Sequence, residues 1–81
     1  MSNGIEYPSE VTFKIIYRAG GVRDSIVSCL SEKGLSHEIT ERPSEKGSFI
    51  SYTVTAVFES ENLLQNVCTE LKSINGFMTM F

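Results

Sequence analysis

The sequence predicts an α+β sandwich of order βαββαβ, with a four-stranded antiparallel sheet and two helices packed on one of its faces. Two observations predict it. Residues 11–18 and 49–59 alternate apolar and polar side chains at the period of a half-buried strand. Each is followed by a segment whose apolar residues recur at helical spacing, from Val22 to Leu30 and from Leu64 to Leu71. Two shorter, weaker strands complete the pattern, one after each helix.

A polar leader closes at Tyr7-Pro8, and the start of residues 1–8 is expected to be flexible. In the first strand Val11, Phe13, Ile15 and Tyr17 share one face, and Thr12, Lys14, Ile16 and Arg18 share the other. Ala19-Gly20-Gly21 breaks that alternation. The first helix is predicted over 22–33, with Val22, Ile26, Cys29 and Leu30 on its apolar face, Lys33 in a basic last turn and Gly34 as the stop. Residues 37–42 are polar apart from Ile39, which suits an edge strand guarded against pairing with other molecules. Pro43-Ser44-Glu45-Lys46-Gly47 is a dense turn signal leading into the longest strand, whose Ile50, Tyr52, Val54, Ala56 and Phe58 share a face. Ser60 is placed to cap the second helix, with Glu61 in its first turn, and Leu64, Val67, Cys68 and Leu71 recur along it until Asn75-Gly76. Residues 77–81 make the last strand. Its buried side is ambiguous, because both Met78/Met80 and Phe77/Phe81 are apolar.

Strand, helix, strand, strand, helix, strand is the split βαβ arrangement of a ferredoxin-like sandwich. Right-handed crossovers place the first and third strands centrally, in sheet order 4-1-3-2, and leave one sheet face open. If that face carries Ile16, Val57 and part of the C-terminal Met and Phe set, it forms an apolar patch of the kind that marks contact surfaces.

Composition narrows the function classes. At 81 residues the chain is expected to be one domain with a thin core, because so short a chain buries only about 60% of its unfolded surface. With 41% hydrophobic and 21% charged residues it reads as globular rather than disordered. No apolar run approaches the roughly 20 residues of a membrane span, and the first residues lack a secretory pattern, so a cytoplasmic location is expected. Cys29 and Cys68 sit in amphipathic patterns and read as small buried hydrophobes in a reducing compartment. A net charge of −3 argues against nonspecific nucleic-acid binding, which relies on surplus Lys and Arg to displace counterions.

The residues offer no catalytic constellation. The lone histidine, His37, lies on a polar edge strand without a nucleophile beside it in the pattern. The loop after the first strand, Arg18-Ala19-Gly20-Gly21, lacks the Cys-x-x-Cys of metal carriers of this topology, and Gly21-Val22-Arg23 is too slight a match to the phosphate loop of acylphosphatases. No cofactor or metal is expected, and the chain is not expected to be an enzyme.

Three binding constellations remain. Gly20-Gly21 at a helix head is first of all a tight turn, but its amides, with Arg18, could hold a carboxylate, and Arg18-Ala19-Gly20-Gly21-Val22 with Ile26 and Leu30 resembles the first loop and helix of ACT domains. That resemblance implies an amino acid or carboxylate sensor. Lys46-Gly47-Ser48-Phe49-Ile50-Ser51-Tyr52 lies where an RNA recognition motif carries its Lys-Gly-aromatic signature, yet Ser48 stands at the first stacking position and Thr12, Lys14 and Ile16 face outward from the first strand. The hairpin itself is the third: Arg42, Ser44, Lys46, Gly47 and Ser48 either shape a turn or contact a partner or small anion.

Over almost its whole length the chain resembles the YbeD-like family of small bacterial proteins, a domain of unknown function. The residues that carry this are Tyr7-Pro8, Thr12-Phe13-Lys14, the Pro43-Ser44-Glu45-Lys46-Gly47 hairpin with Ser51 behind it, Glu70-Leu71, Ile74 and the apolar C-terminal strand. The resemblance implies a ferredoxin-like fold similar to ACT-type regulatory domains, with some members described as lipoate regulators, and no catalytic residues. The chain departs from the family pattern at Gly20-Gly21 and at Met78 and Thr79. The expected role is a noncatalytic regulatory or adaptor domain acting by contact with a protein partner or by self-association, with a carboxylate sensor and then single-stranded RNA binding as rivals.

Overall fold

The computed structural model describes residues 7–18 and 21–81. The elements run β1 (Ser9–Arg18), α1 (Arg23–Glu32), β2 (His37–Pro43), β3 (Phe49–Phe58), α2 (Glu61–Lys72) and β4 (Phe77–Met80). The strands form one antiparallel sheet in the order β2-β3-β1-β4, the ferredoxin-like order expected from the sequence. β1 begins two residues before the alternation suggests, at Ser9, which pairs with Phe58. Of the leader, residues 1–6 lie outside the described residues, while Tyr7 packs against the core.

One core holds both layers together. Phe13, Ile15 and Tyr17 of β1 and Tyr52, Val54, Ala56 and Phe58 of β3 meet Ile26, Cys29 and Leu30 of α1 and Val67 and Leu71 of α2. Both helices therefore cover the same sheet face, and β1 and β3 contribute every second residue to it. Tyr17 sits at the centre, its ring edge-on to Tyr52 at 5.9 Å and to Phe77 at 6.0 Å, and its hydroxyl donates to the Leu71 carbonyl at 2.6 Å.

The helix ends follow their capping residues. Ser60 accepts from the Leu63 amide at 3.1 Å, satisfying one of the unpaired N–H groups of the first turn of α2. At the end of α1 the Gly34 amide donates to Ser31 and the Leu35 amide to Leu30, a Schellman ending that requires the positive φ of 69° found at Gly34 and tucks Leu35 into the core. Lys33 departs from the expected role. It lies just past the last helical turn and its ammonium donates to Glu70 of α2 at 2.6 Å, so it ties the two helices together instead of neutralising the carbonyls of α1.

β4 carries a bulge that resolves the ambiguity left by its sequence. Lys14 exchanges backbone hydrogen bonds with Phe81, and Arg18 donates to the Gly76 carbonyl, so five steps of β4 run beside four steps of β1. The register shifts between Ile16 and Tyr17, which pair with Thr79 and Phe77 and leave Met78 as the extra residue. Phe77 and Met80, three apart in sequence, consequently both pack on the core, while Met78 and Phe81 stay exposed. Neither simple alternation of the last strand holds.

Candidate functional site

At one end of the open sheet face lie the C-terminal end of β1, the start of β3, the start of β4 and the β2–β3 hairpin. The register sets Arg42, Ser51, Ile16 and Thr79 side by side across all four strands, with Arg18 and Phe49 paired in the next row. All six occupy the strand positions that alternate away from the core. Ile16, Arg42, Pro43, Ser44, Phe49 and Ser51, with Glu45, line a concavity of about 410 Å³ that is open to solvent.

The hairpin is built around Ser44. Its amide donates to the Phe49 carbonyl at 2.8 Å, its hydroxyl accepts from the Phe49 amide at 3.2 Å, and its carbonyl accepts from the Gly47 amide at 3.0 Å. Gly47 takes a φ of 74°, a left-handed conformation that costs a residue with a Cβ roughly 1 kcal/mol or more. The Ser51 hydroxyl donates to the Arg42 carbonyl at 3.3 Å, binding β2 to β3 just behind the turn. Ser44, Gly47 and Ser51 thus serve the backbone. Arg42 and Lys46 have exposed side chains with no ion pair among the described residues, and Ser48 is exposed at the tip.

This divides the hairpin motif into two halves. Gly47→Ala is expected to lower stability by about 1 kcal/mol, whereas Lys46→Ala is expected to change it by less than about 0.5 kcal/mol, as read from urea midpoints. Equal losses from the two would contradict the division.

The open face is less apolar than the sequence suggested. Val57 pairs with Glu10 at the far end, and between it and Ile16 lie Thr12 and Thr55, whose hydroxyls hydrogen-bond at 2.9 Å, then Lys14 beside Thr53. A band of hydroxyls therefore splits the expected patch, and the β4 bulge turns Met80 to the core. What remains together is Ile16, Phe49 and Met78 at the hairpin end, the last two 39% and 43% exposed. Phe49, which the sequence offers only as part of the Lys46–Tyr52 stretch, stands on the open face as the alternation of β3 requires.

The model of a family described as a protein of unknown function, DUF493, matches residues 2–81 of the chain. The chain belongs to the DUF493 family. This is the YbeD-like family whose hairpin and strand residues it carries. Among solved structures, the solution structure of protein HP0495 from H. pylori is similar, with a TM-score of 0.86 at 12% identity over 99% of this chain and 88% of that one. The de novo designed protein Ferredog-Diesel is also similar, with a TM-score of 0.50 at 14% identity over 100% of this chain and 92% of that one. Such low identities show the shared fold alone. No curated protein matches the chain in sequence.

In this DUF493 chain the second candidate site, Arg18 with Gly20-Gly21, falls only partly within the described residues. Gly20 lies outside them. Gly21 has a φ of 49°, as a tight turn before α1 demands, with open space where a Cβ would be. The Arg18 guanidinium lies 3.8 Å from the Met78 sulfur on the open face, whereas α1 packs on the opposite face.

One cluster had no signal in the sequence. Between the helices, the Cys29 thiol lies 3.3 Å from one Glu70 oxygen and the Lys33 ammonium 2.6 Å from the other, at the rim of a concavity of about 410 Å³ that Asp24, Ser28 and Glu32 also line. Burial, then the hydrogen bond to Glu70, pushes the thiol up to about 11, so at neutral pH it is a protonated donor and a poor nucleophile. Lys33 and then the thiol hold the Glu70 carboxyl below its ordinary range. Cys29 and Cys68 are both free. His37 is half-buried with Nδ1 2.9 Å from the Leu35 carbonyl. Among the described residues no three His, Cys, Asp or Glu are grouped to hold a metal, and no helix is long and apolar enough to cross a membrane.

Proposed function

We propose that this DUF493 chain is a noncatalytic regulatory or adaptor domain of the cytoplasm that contacts a protein partner with the hairpin end of its open sheet face. The observation that carries the reading is the collection there of exposed apolar groups, Phe49 and Met78, with Arg18 and Arg42, which make no ion pair among the described residues, around a concavity that the helices leave uncovered. Elsewhere Arg23 meets Glu41 at 3.2 Å and Lys33 meets Glu70, while Lys72, alone at the end of α2, makes no ion pair among the described residues. The noncatalytic part of the reading is supported by the protonated Cys29 thiol and by a histidine held to its own backbone turn.

The two rivals have less behind them. A carboxylate sensor at the start of α1 needs Arg18, whose side chain points to the other side of the sheet. RNA binding needs stacking aromatics and surplus cations, and the face presents Thr12, Ser51, Thr53 and Thr55 across its middle in a chain of net charge −3.

Affinity capture of the tagged chain from its own cell extract tests the reading. A partner is expected with the wild type and is expected to be lost with Arg42→Ala, Lys46→Ala. Sedimentation over a concentration series separates self-association, in which the partner is a second copy. A partner retained in full by the variant would place the contact elsewhere.

A further inference from the structure

The chain's charges are distributed unevenly on the open face. Arg18 and Arg42 stand at the hairpin end, and neither makes an ion pair among the described residues. Glu38 and Glu10 stand towards the other end, four residues from Arg42 along β2 and eight from Arg18 along β1, beside Thr55 and Val57. Lys14, between them, lies over the Phe81 ring at 6.0 Å. One acid, Glu45, borders the concavity without pairing with Arg42. A chain of net charge −3 therefore keeps two guanidiniums unneutralised on one small area.

Their spacing follows from the sheet. Arg42 on β2 and Arg18 on β1 are two strands apart and one same-face step apart along the strand, so their Cα atoms are roughly 12 Å from each other. Ile16, Ser51 and Phe49 lie between them in the register. Guanidiniums favour planar, bidentate partners such as carboxylates, and an exposed Phe between them offers a contact for an apolar side chain.

On this ground, and resting on the reading of the open face as a protein-contact surface, we infer that this end of the face docks an acidic protein segment. Arg18 and Arg42 take its carboxylates, and an apolar residue between them packs on Phe49 and Ile16. An extended segment places alternate side chains about 6 to 7 Å apart, so two acids flanking an apolar residue match the two arginines. The concavity is an open shelf, whereas small ligands are held in sites that enclose most of their surface. A nucleic-acid strand carries charge along its whole length and would run from the arginines onto Glu10 and Glu38.

The test is an amide chemical-shift titration of the ¹⁵N-labelled chain at low ionic strength with three probes: a synthetic peptide of repeating Glu-Ser-Leu-Ser (the Glu-Leu peptide), which in extended form sets Glu, Leu and Glu along one face, its Lys-Ser-Leu-Ser counterpart (the Lys-Leu peptide), and an oligouridine. The Glu-Leu peptide is expected to move the amides of Ile16, Arg18, Arg42, Ser44, Phe49 and Ser51. Its binding is expected to weaken with salt and to fall by roughly tenfold in the Arg18→Glu, Arg42→Glu variant. Both substituted residues are exposed, and the variant's dispersed spectrum confirms its fold. Stronger shifts with the Lys-Leu peptide or the oligouridine, shifts confined to α1 and α2, or no shift at millimolar Glu-Leu peptide would each overturn the inference. Extract capture judges the protein-contact reading separately: a partner lost with Arg42→Ala, Lys46→Ala while the Glu-Leu peptide moves no amide of this face would leave that reading standing and sink the acidic segment.

Discussion

Tyr17→Ala is expected to destabilise the chain by about 3–5 kcal/mol, the range for removing a large buried aromatic side chain. A domain of this length has a total stability of roughly 4–12 kcal/mol, at 0.05–0.15 kcal/mol per residue, so the variant is expected to be partly or wholly unfolded in buffer. The reason is position. Tyr17 is fully buried on a central strand, touches Tyr52 of β3 and Phe77 of β4 edge-on, and reaches α2 through its hydroxyl. It is thus the side chain on which both sheet neighbours and a helix converge. Tyr17→Phe separates the ring from the hydroxyl: it keeps the packing, leaves the Leu71 carbonyl with only the longer bond from the Ile74 amide at 3.4 Å, and is expected to cost about 1 kcal/mol. Urea unfolding followed by circular dichroism checks both. A loss under about 1.5 kcal/mol for Tyr17→Ala would show that the core does not depend on this junction.

The second large effect is chemical. The Cys29 thiol is raised from an ordinary 9.0 to about 11, by burial first and by the Glu70 carboxylate second. Two units leave about 100-fold less thiolate at pH 8, so native Cys29 is expected to react with iodoacetamide about 100-fold more slowly than the same thiol in the denatured chain. Burial of the sulfur itself slows it further. A raised folded pKa means that the native state favours the neutral thiol. Its contribution to stability is complete below pH 9 and is lost as the pH rises through about 11. Tyr17, raised by burial to about 12, adds a loss of the same sign at still higher pH. Glu70→Gln removes the second cause and leaves the first, so the reaction is expected to speed up several-fold without reaching the denatured rate. Mass spectrometry of the alkylated peptide reads this directly, and native labelling as fast as denatured labelling would contradict the geometry.

How much of this was legible in the sequence follows from the range of each interaction. The faces of β1 and β3 could be assigned because alternation is a property of the strand itself: Phe13, Ile15, Tyr17 and Tyr52, Val54, Ala56, Phe58 are buried as their spacing requires. Ser60 and Gly34 were legible for the same reason, since a cap acts within a few residues. β4 was not. Residues 77–81 are compatible with either face, and the choice is made by pairings of Phe81 with Lys14 and Gly76 with Arg18, more than 55 residues away in the chain. The Cys29, Lys33 and Glu70 cluster is equally long-range, joined across 37 and 41 residues. For the candidate site, the hairpin residues were recognised as a set, but their division into Ser44, Gly47 and Ser51 for the backbone and Arg42 and Lys46 for the surface needed the hydrogen bonds. Phe49 could be assigned to the open face by alternation, but its place beside Arg18 needed the register.

The central claim is that the hairpin end of the open face is where this DUF493 chain meets its partner, and hydrogen exchange of the captured complex tests it most directly. The account predicts slowed exchange on partner binding at Ser44–Ser51 and at the neighbouring ends of β1 and β4, with α1 and α2 unchanged. Protection confined to the helices around Asp24, Cys29 and Glu70, with the hairpin exchanging as in the free chain, would contradict it.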